Sequence, residues 1–140
     1  MKFKHANEHK TIVLLIDDEK NVLEGLNLTL RSKYNVVQAQ SVNEARLILK
    51  KEPIDIVVCD HMMPGMQGLD FMKEMSISYP DIGRIILTGF ISMPLAVRAM
   101  NMNVLHQFLQ KPVHPVELLT SLNLVRQLLI AKQIDDDIRR

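Results

Sequence analysis

Ile54-Asp55-Ile56-Val57-Val58-Cys59-Asp60, running into His61-Met62-Met63-Pro64-Gly65, decides the fold of this 140-residue chain. It reads as a short apolar strand that ends on a carboxylate and opens into a proline-glycine loop. In an open α/β sheet, ligands sit outside the carboxyl ends of the strands, so Asp60 is held toward solvent on rigid backing. Asp also begins turns before Pro-Gly segments. The remaining strand ends decide between the two readings.

Working outward, residues 11–16 form a second continuous apolar run, consistent with a strand buried on both faces, and end in Asp17-Asp18-Glu19. Val22, Leu23, Leu26 and Leu30 then recur at helical spacing over residues 20–32. A short strand follows at 35–39. Ser41-Val42-Asn43-Glu44 is a capping box that opens a helix to about Lys51, closed by Pro53. Downstream of Asp60, Leu69, Met72 and Met75 mark a helix over 68–78 that stops at Tyr79-Pro80. A strand at 84–87 reaches Thr88-Gly89, and a helix runs from Met93 or Pro94 to Met100, with Asn101 and Asn103 as left-handed stops. Residues 104–109 form the fifth strand, ending at Gln110-Lys111-Pro112. The last helix begins near Pro115, with an apolar stripe of Leu118, Leu122, Val125 and Leu129 that covers the sheet.

Five βα units with short connections predict one α/β domain: a doubly wound, five-stranded parallel sheet with helices on both faces. At 140 residues the chain buries a core without staples. Its 47% apolar and 24% charged residues and its net charge of +1 point to an ordinary soluble domain, with no nucleic-acid contact and no membrane surface. No run has the length of a membrane span or a signal peptide, which predicts a cytoplasmic protein. The single cysteine, Cys59, excludes an internal disulfide and reads as a buried small residue rather than a reactive thiol.

In the strand order 2-1-3-4-5, strands one and three are neighbours, and Asp17, Asp18 and Asp60 converge at the switch point. Carboxylates that close repel one another, and Mg²⁺ with its hard oxygen preference resolves this. Thr88 adds a hydroxyl and Lys111 a positive charge to the same pocket. Together they would clamp a phosphoryl group carried by Asp60 as nucleophile.

Asp17-Asp18, Asp60 with Met63-Pro64-Gly65, Thr88, Phe108 and Lys111-Pro112, in this order at strand ends, resemble the receiver domain of bacterial two-component response regulators. The resemblance covers residues 11–132, with 1–10 as an extension and 133–140 as a helix end or the start of a linker. It implies that Asp60 takes a phosphoryl group from a sensor histidine kinase or phosphotransfer protein. Asp18 would be the principal Mg²⁺ ligand, Asp17 would act through water, and the main-chain carbonyl of Met62 would complete the shell. Thr88 would be the switch hydroxyl, Phe108 the aromatic that follows it inward, and Lys111 the phosphate-binding lysine, its bond to Pro112 cis. The face made by the fourth helix, fifth strand and fifth helix would change shape for a partner or a second copy.

Gly89 departs from the alanine usual after the switch threonine. Met62 and Phe90 hold the two positions that tune water access in the family, and both are apolar here, which implies a long-lived phosphoryl group. His61 reads as a loop surface residue, and His5, His9, His106 and His114 as surface or capping residues. The nine methionines read as core filling.

Other classes compete. A haloacid-dehalogenase-like phosphatase would carry a second aspartate where Met62 stands, and a flavodoxin-like carrier would not place Asp17-Asp18-Glu19 in its phosphate loop. A degenerate receiver, a protein-interaction module without phosphorylation, would have lost part of the set Asp18, Asp60, Thr88 and Lys111. Either the chain works alone or an effector domain lies beyond Arg140 in a longer parent. Thr88-Gly89-Phe90 with 108–112 resembles receivers fused to cyclic-di-nucleotide phosphodiesterases, and a DNA-binding output is equally open.

Overall fold

The computed structural model describes residues 10–139. Its elements alternate throughout: β1 (Ile12–Ile16), α1 (Lys20–Leu30), β2 (Asn35–Ala39), α2 (Val42–Lys51), β3 (Ile56–Cys59), α3 (Gly68–Ser78), β4 (Gly83–Thr88), α4 (Met93–Met102), β5 (Gln107–Gln110) and α5 (Pro115–Arg139). All strands are parallel, as the alternation predicts, and they stand in the expected order β2-β1-β3-β4-β5. The register sets Ile16 beside Cys59 and Cys59 beside Ile86, so the residues that follow β1 and β3 leave the sheet side by side.

Successive side chains of a strand point to opposite faces, and the core divides accordingly. Leu14, Ile16, Val57, Cys59 and Ile86 pack with Ala45, Leu49, Leu69, Phe71, Met72, Met75 and Ala99 from α2, α3 and α4. Val13, Leu15, Ile56, Val58, Ile85 and Leu87 pack on the other side with Leu23 and Leu30 of α1 and Leu118, Leu122 and Val125 of α5. The α5 stripe therefore does cover the sheet. Cys59 is fully buried, and burial, followed by the charges of Asp60 and Asp17, pushes its thiol far above the ordinary range, so it is inert.

Local chemistry explains most boundaries. Ser41 Oγ accepts the Glu44 N–H at 3.1 Å, the predicted cap of α2. Of the two asparagines expected to stop α4, Asn103 does so in the left-handed region (φ 50°, ψ 44°), whereas Asn101 lies inside the helix. Residues 133–139 continue α5 without a break, with Gln133 bonded to Asp137 and Arg139 paired with Asp135 one turn apart.

The fifth strand begins at Gln107 rather than at 104, because His106 interrupts the ladder. Its N–H donates to the Arg84 carbonyl at 2.8 Å, but its Nδ1, not a main-chain carbonyl, takes the Arg84 N–H at 3.0 Å. His106 is thus a half-buried ladder residue and not the surface or capping residue expected. His114 does cap, its Nδ1 accepting the Val116 N–H at the start of α5. His5 and His9 lie outside the described residues.

Burial, then Arg84 and Lys132, lowers the His106 pKa below its ordinary 6.5. The unfolded chain therefore takes up the proton first on acidification. Stability is full above the unfolded value and is lost as pH falls through the folded one. The urea midpoint should drop between pH 7.5 and 5.5, and His106→Asn, which keeps an acceptor but does not titrate, should make that drop shallower. An unchanged slope in the variant would remove His106 from this account.

Candidate functional site

The carboxyl end of the sheet gathers one charged cluster. Asp17 follows β1 and is 3% exposed; its N–H donates to the Ala39 carbonyl, which anchors it to β2. Its Oδ1 accepts the Glu19 N–H at 2.9 Å, and its Oδ2 accepts from Lys111 Nζ at 2.6 Å. Asp60 follows β3 and is 9% exposed, its N–H held by the Ile16 carbonyl. Its Oδ2 lies 3.6 Å from the same Lys111 Nζ, and its Oδ1 accepts from the Met62 N–H at 3.4 Å. Asp18 is exposed beside them. One carboxylate oxygen from each of Asp17, Asp18 and Asp60 falls within 4.8 Å of the other two.

Lys111 is aimed into this cluster by its backbone. Its N–H donates to the Thr88 carbonyl at 2.7 Å, and its peptide bond to Pro112 is cis, as expected. Burial opposes its charge, but the hydrogen bond to Asp17 and the charges of Asp17 and Asp60 together raise its pKa, so it is an ammonium at neutral pH. Three carboxylates against one ammonium leave two formal negative charges in a half-buried site. That donor set fits a hard divalent cation.

Thr88 is fully buried at the end of β4, and its Oγ1 bonds no protein group. A buried hydroxyl gains from a hydrogen-bond partner, so Thr88 Oγ1 has free hydrogen-bonding capacity at this strand end. Phe108 on β5 is half-buried against the α2–α4 side of the core. The side chains of Met62 and Phe90 are both exposed, at 67% and 71%. The structure therefore brings Asp17, Asp18, Asp60 and Lys111 together directly and joins Thr88 to them through the Lys111 backbone.

His61 corrects an expectation. It is 5% exposed, not a surface residue, and its Nδ1 accepts the Leu69 N–H at 3.3 Å. Burial, then the nearby Arg98, lowers its pKa against the opposing charges of Asp60 and Asp70, which keeps that nitrogen free to accept. The hint in the sequence was Gln67: a weak cap residue before α3 leaves its first-turn N–H groups in need of another acceptor. Arg98 of α4 also went unrecognised. It bonds Asp70 and Gln67, at the start of α3, and ties the two helices together.

Comparison with known proteins agrees with this geometry. Residues 13–123 match the sequence model described as the response regulator receiver domain. The chain is 31% identical over 134 residues to the hydrogenase transcriptional regulatory protein HoxA of Cupriavidus necator, covering 96% of this chain and 27% of HoxA. It is 39% identical over 102 residues to the transcriptional regulatory protein GlrR of Escherichia coli, covering 72% of this chain and 23% of GlrR. The chain thus spans about a quarter of the length of these curated relatives. Among solved structures, the signal receiver domain of an HD domain-containing protein from Pseudomonas fluorescens superposes with a TM-score of 0.83 at 26% identity, over 88% of this chain and 99% of that one. With a matching sheet order, an acidic cluster at the switch point and a family match over most of its length, the chain belongs to the response regulator receiver domains of two-component systems.

Proposed function

We propose that Asp60 is the phosphoacceptor of this receiver. One Asp60 oxygen attacks the phosphorus of a phosphohistidine on a sensor kinase or phosphotransfer protein. The new O–P bond forms as the N–P bond breaks, and the departing imidazole regains its electron pair and takes a proton from solvent. Asp17, Asp18, Asp60 and the Met62 main-chain carbonyl would hold Mg²⁺, which when bound neutralises charge on the phosphoryl oxygens. Lys111 meets a second oxygen from the opposite side, and the unpartnered Thr88 hydroxyl meets a third. Small phosphodonors would serve in place of the kinase.

The observation that carries this reading is the Asp60 carboxylate at the end of the central strand, 3.6 Å from a lysine ammonium and close to two more carboxylates. Once the acyl phosphate stands there, Thr88 turned toward it satisfies both groups, and Phe108 follows into the space released. The face of α4, β5 and α5 then changes. Met93, Val97 and Met100 of α4 and Val116 of α5 are exposed there, which suits a partner or a second copy. Residues 11–132 form the receiver in this reading, and 133–140 lead toward an effector beyond Arg140. The relatives' names support a transcriptional output. No helix among the described residues is long and apolar enough to cross a membrane, in keeping with a cytoplasmic role.

The test is intact mass after incubation with acetyl phosphate and Mg²⁺, beside Asp60→Asn. The parent should gain one phosphoryl group, the variant none, and a chelator added first should prevent the gain. Removing the donor then times the loss, which should be slow given the exposed, apolar Met62 and Phe90. No gain with any small donor or cognate kinase would leave the degenerate receiver as the better account.

A further inference from the structure

The first turn of any α-helix leaves N–H groups without intrahelical partners, and a side chain at the N-cap ordinarily takes one of them. In α3 the N-cap is Gln67, whose side chain makes no such bond. The first two N–H groups are met instead by one residue seven and eight positions upstream. Gly68 donates to the His61 carbonyl at 2.9 Å, and Leu69 donates to His61 Nδ1 at 3.3 Å. The same carbonyl also accepts the Met63 N–H at 3.0 Å, which closes the turn around Met62. His61 therefore caps α3 from outside the helix while forming the first residue of the turn that leaves Asp60.

The contact is close on both sides. A Cβ built on Gly68 would stand 2.2 Å from the Asp60 carbonyl oxygen, so the first turn of α3 lies directly on the Asp60 peptide. The Met62 N–H in turn reaches Asp60 Oδ1 at 3.4 Å, so the shape of this turn sets where the Met62 main chain stands against the carboxylate. An apolar side chain would fill the space of the imidazole but leave the Leu69 N–H buried and unmet. The contacts around His61 are thus those of an orienting group between a helix and the Asp60 carboxylate.

We propose that His61 is a positioning residue for phosphoryl acceptance: by capping α3 it holds the turn after Asp60 in the shape that lets the Asp60 carboxylate and the Met62 carbonyl face one cation. The proposal rests on the reading that Asp60 accepts the phosphoryl group. It acts at the level of the metal shell, where groups that orient ligands change metal affinity by about 10–100-fold.

The test compares Mg²⁺ affinity, read from amide shifts in a Mg²⁺ titration, in the parent, His61→Asn, His61→Gln and His61→Leu. The Asn Oδ1 occupies the place of Nδ1, two bonds from Cβ, whereas the Gln oxygen lies one carbon farther out. His61→Asn should stay close to the parent, while His61→Gln and His61→Leu should weaken Mg²⁺ by about tenfold and slow phosphorylation by acetyl phosphate. Parent-like affinity in both Gln and Leu, or equal loss in Asn and Gln, would reduce His61 to core filling. If the Leu variant does not fold, the Asn-against-Gln comparison decides. If Mg²⁺ affinities separate as expected but no form is phosphorylated, the phosphoacceptor reading fails and the positioning of the metal shell stands.

Discussion

Gly68→Ala should lower the unfolding free energy by about 3 kcal/mol, the upper range for overpacking a tight site. The added Cβ would meet the Asp60 carbonyl oxygen at 2.2 Å and the Asp60 carbonyl carbon and His61 Cα at 2.9 Å. All three are main-chain atoms, and none can rotate away. The first turn of α3 would have to lift from the end of β3, breaking the Gly68 and Leu69 bonds to His61. Alanine's better helix propensity returns only about 1 kcal/mol, so the clash wins. Phosphorylation should fall in parallel, because the displaced peptide is that of Asp60. Gly25, inside α1 with nothing within 4 Å of its built Cβ, is the internal control. There the same substitution should stabilise by about 0.5–1 kcal/mol. Urea unfolding of both variants reads the two signs, and a Gly68→Ala protein as stable as the parent would contradict the close approach.

The two glycines also show how far a sequence can be read. The βα alternation was legible because apolar runs and helical stripes report which faces are buried, and Leu69, Met72 and Met75 are indeed buried together. Asp17, Asp18, Asp60 and Lys111 were legible because each stands at a strand end, and the topology then brings all strand ends to one side. His61 was not. Polar residues in loops ordinarily face water, and only the three-dimensional return of the chain shows that the imidazole points back to Leu69. The start of β5 failed for a related reason. Val104 and Leu105 have a strand's apolar character, but the side chain of His106 takes the place of a ladder carbonyl. In both cases an imidazole supplies an acceptor that local structure would ordinarily provide, a cap side chain for α3 and a ladder carbonyl for β5, and no periodicity records such a substitution. Arg98 likewise bonds across 28 residues to Asp70, a distance at which local pattern is silent.

Lys111→Met should move two measurements in opposite directions: tighter Mg²⁺ binding and about 100-fold slower phosphorylation of Asp60. Lys111 Nζ sits 2.6 Å from Asp17, itself 4% exposed at its side chain, and 3.6 Å from Asp60. Methionine keeps most of the volume and removes the charge. Without the ammonium, three carboxylates with oxygens within 4.8 Å of one another repel with no compensating lysine charge. Removing one partner of a buried ion pair costs about 3–5 kcal/mol, and this partly open pair should cost about 2 kcal/mol in metal-free buffer. A divalent cation then has more charge to neutralise and no ammonium to displace from Asp17. Its stabilisation of the fold, read as the rise in melting temperature with Mg²⁺, should therefore exceed that of the parent. Phosphoryl transfer makes the opposite demand. Negative charge on the transferred oxygens must be met from the side away from the metal, and deleting one fixed donor of this kind typically lowers rates by about 10²–10³-fold. A variant that loses both metal affinity and transfer would make Lys111 a structural strut. A variant that keeps its rate would take the phosphoryl oxygens away from Lys111.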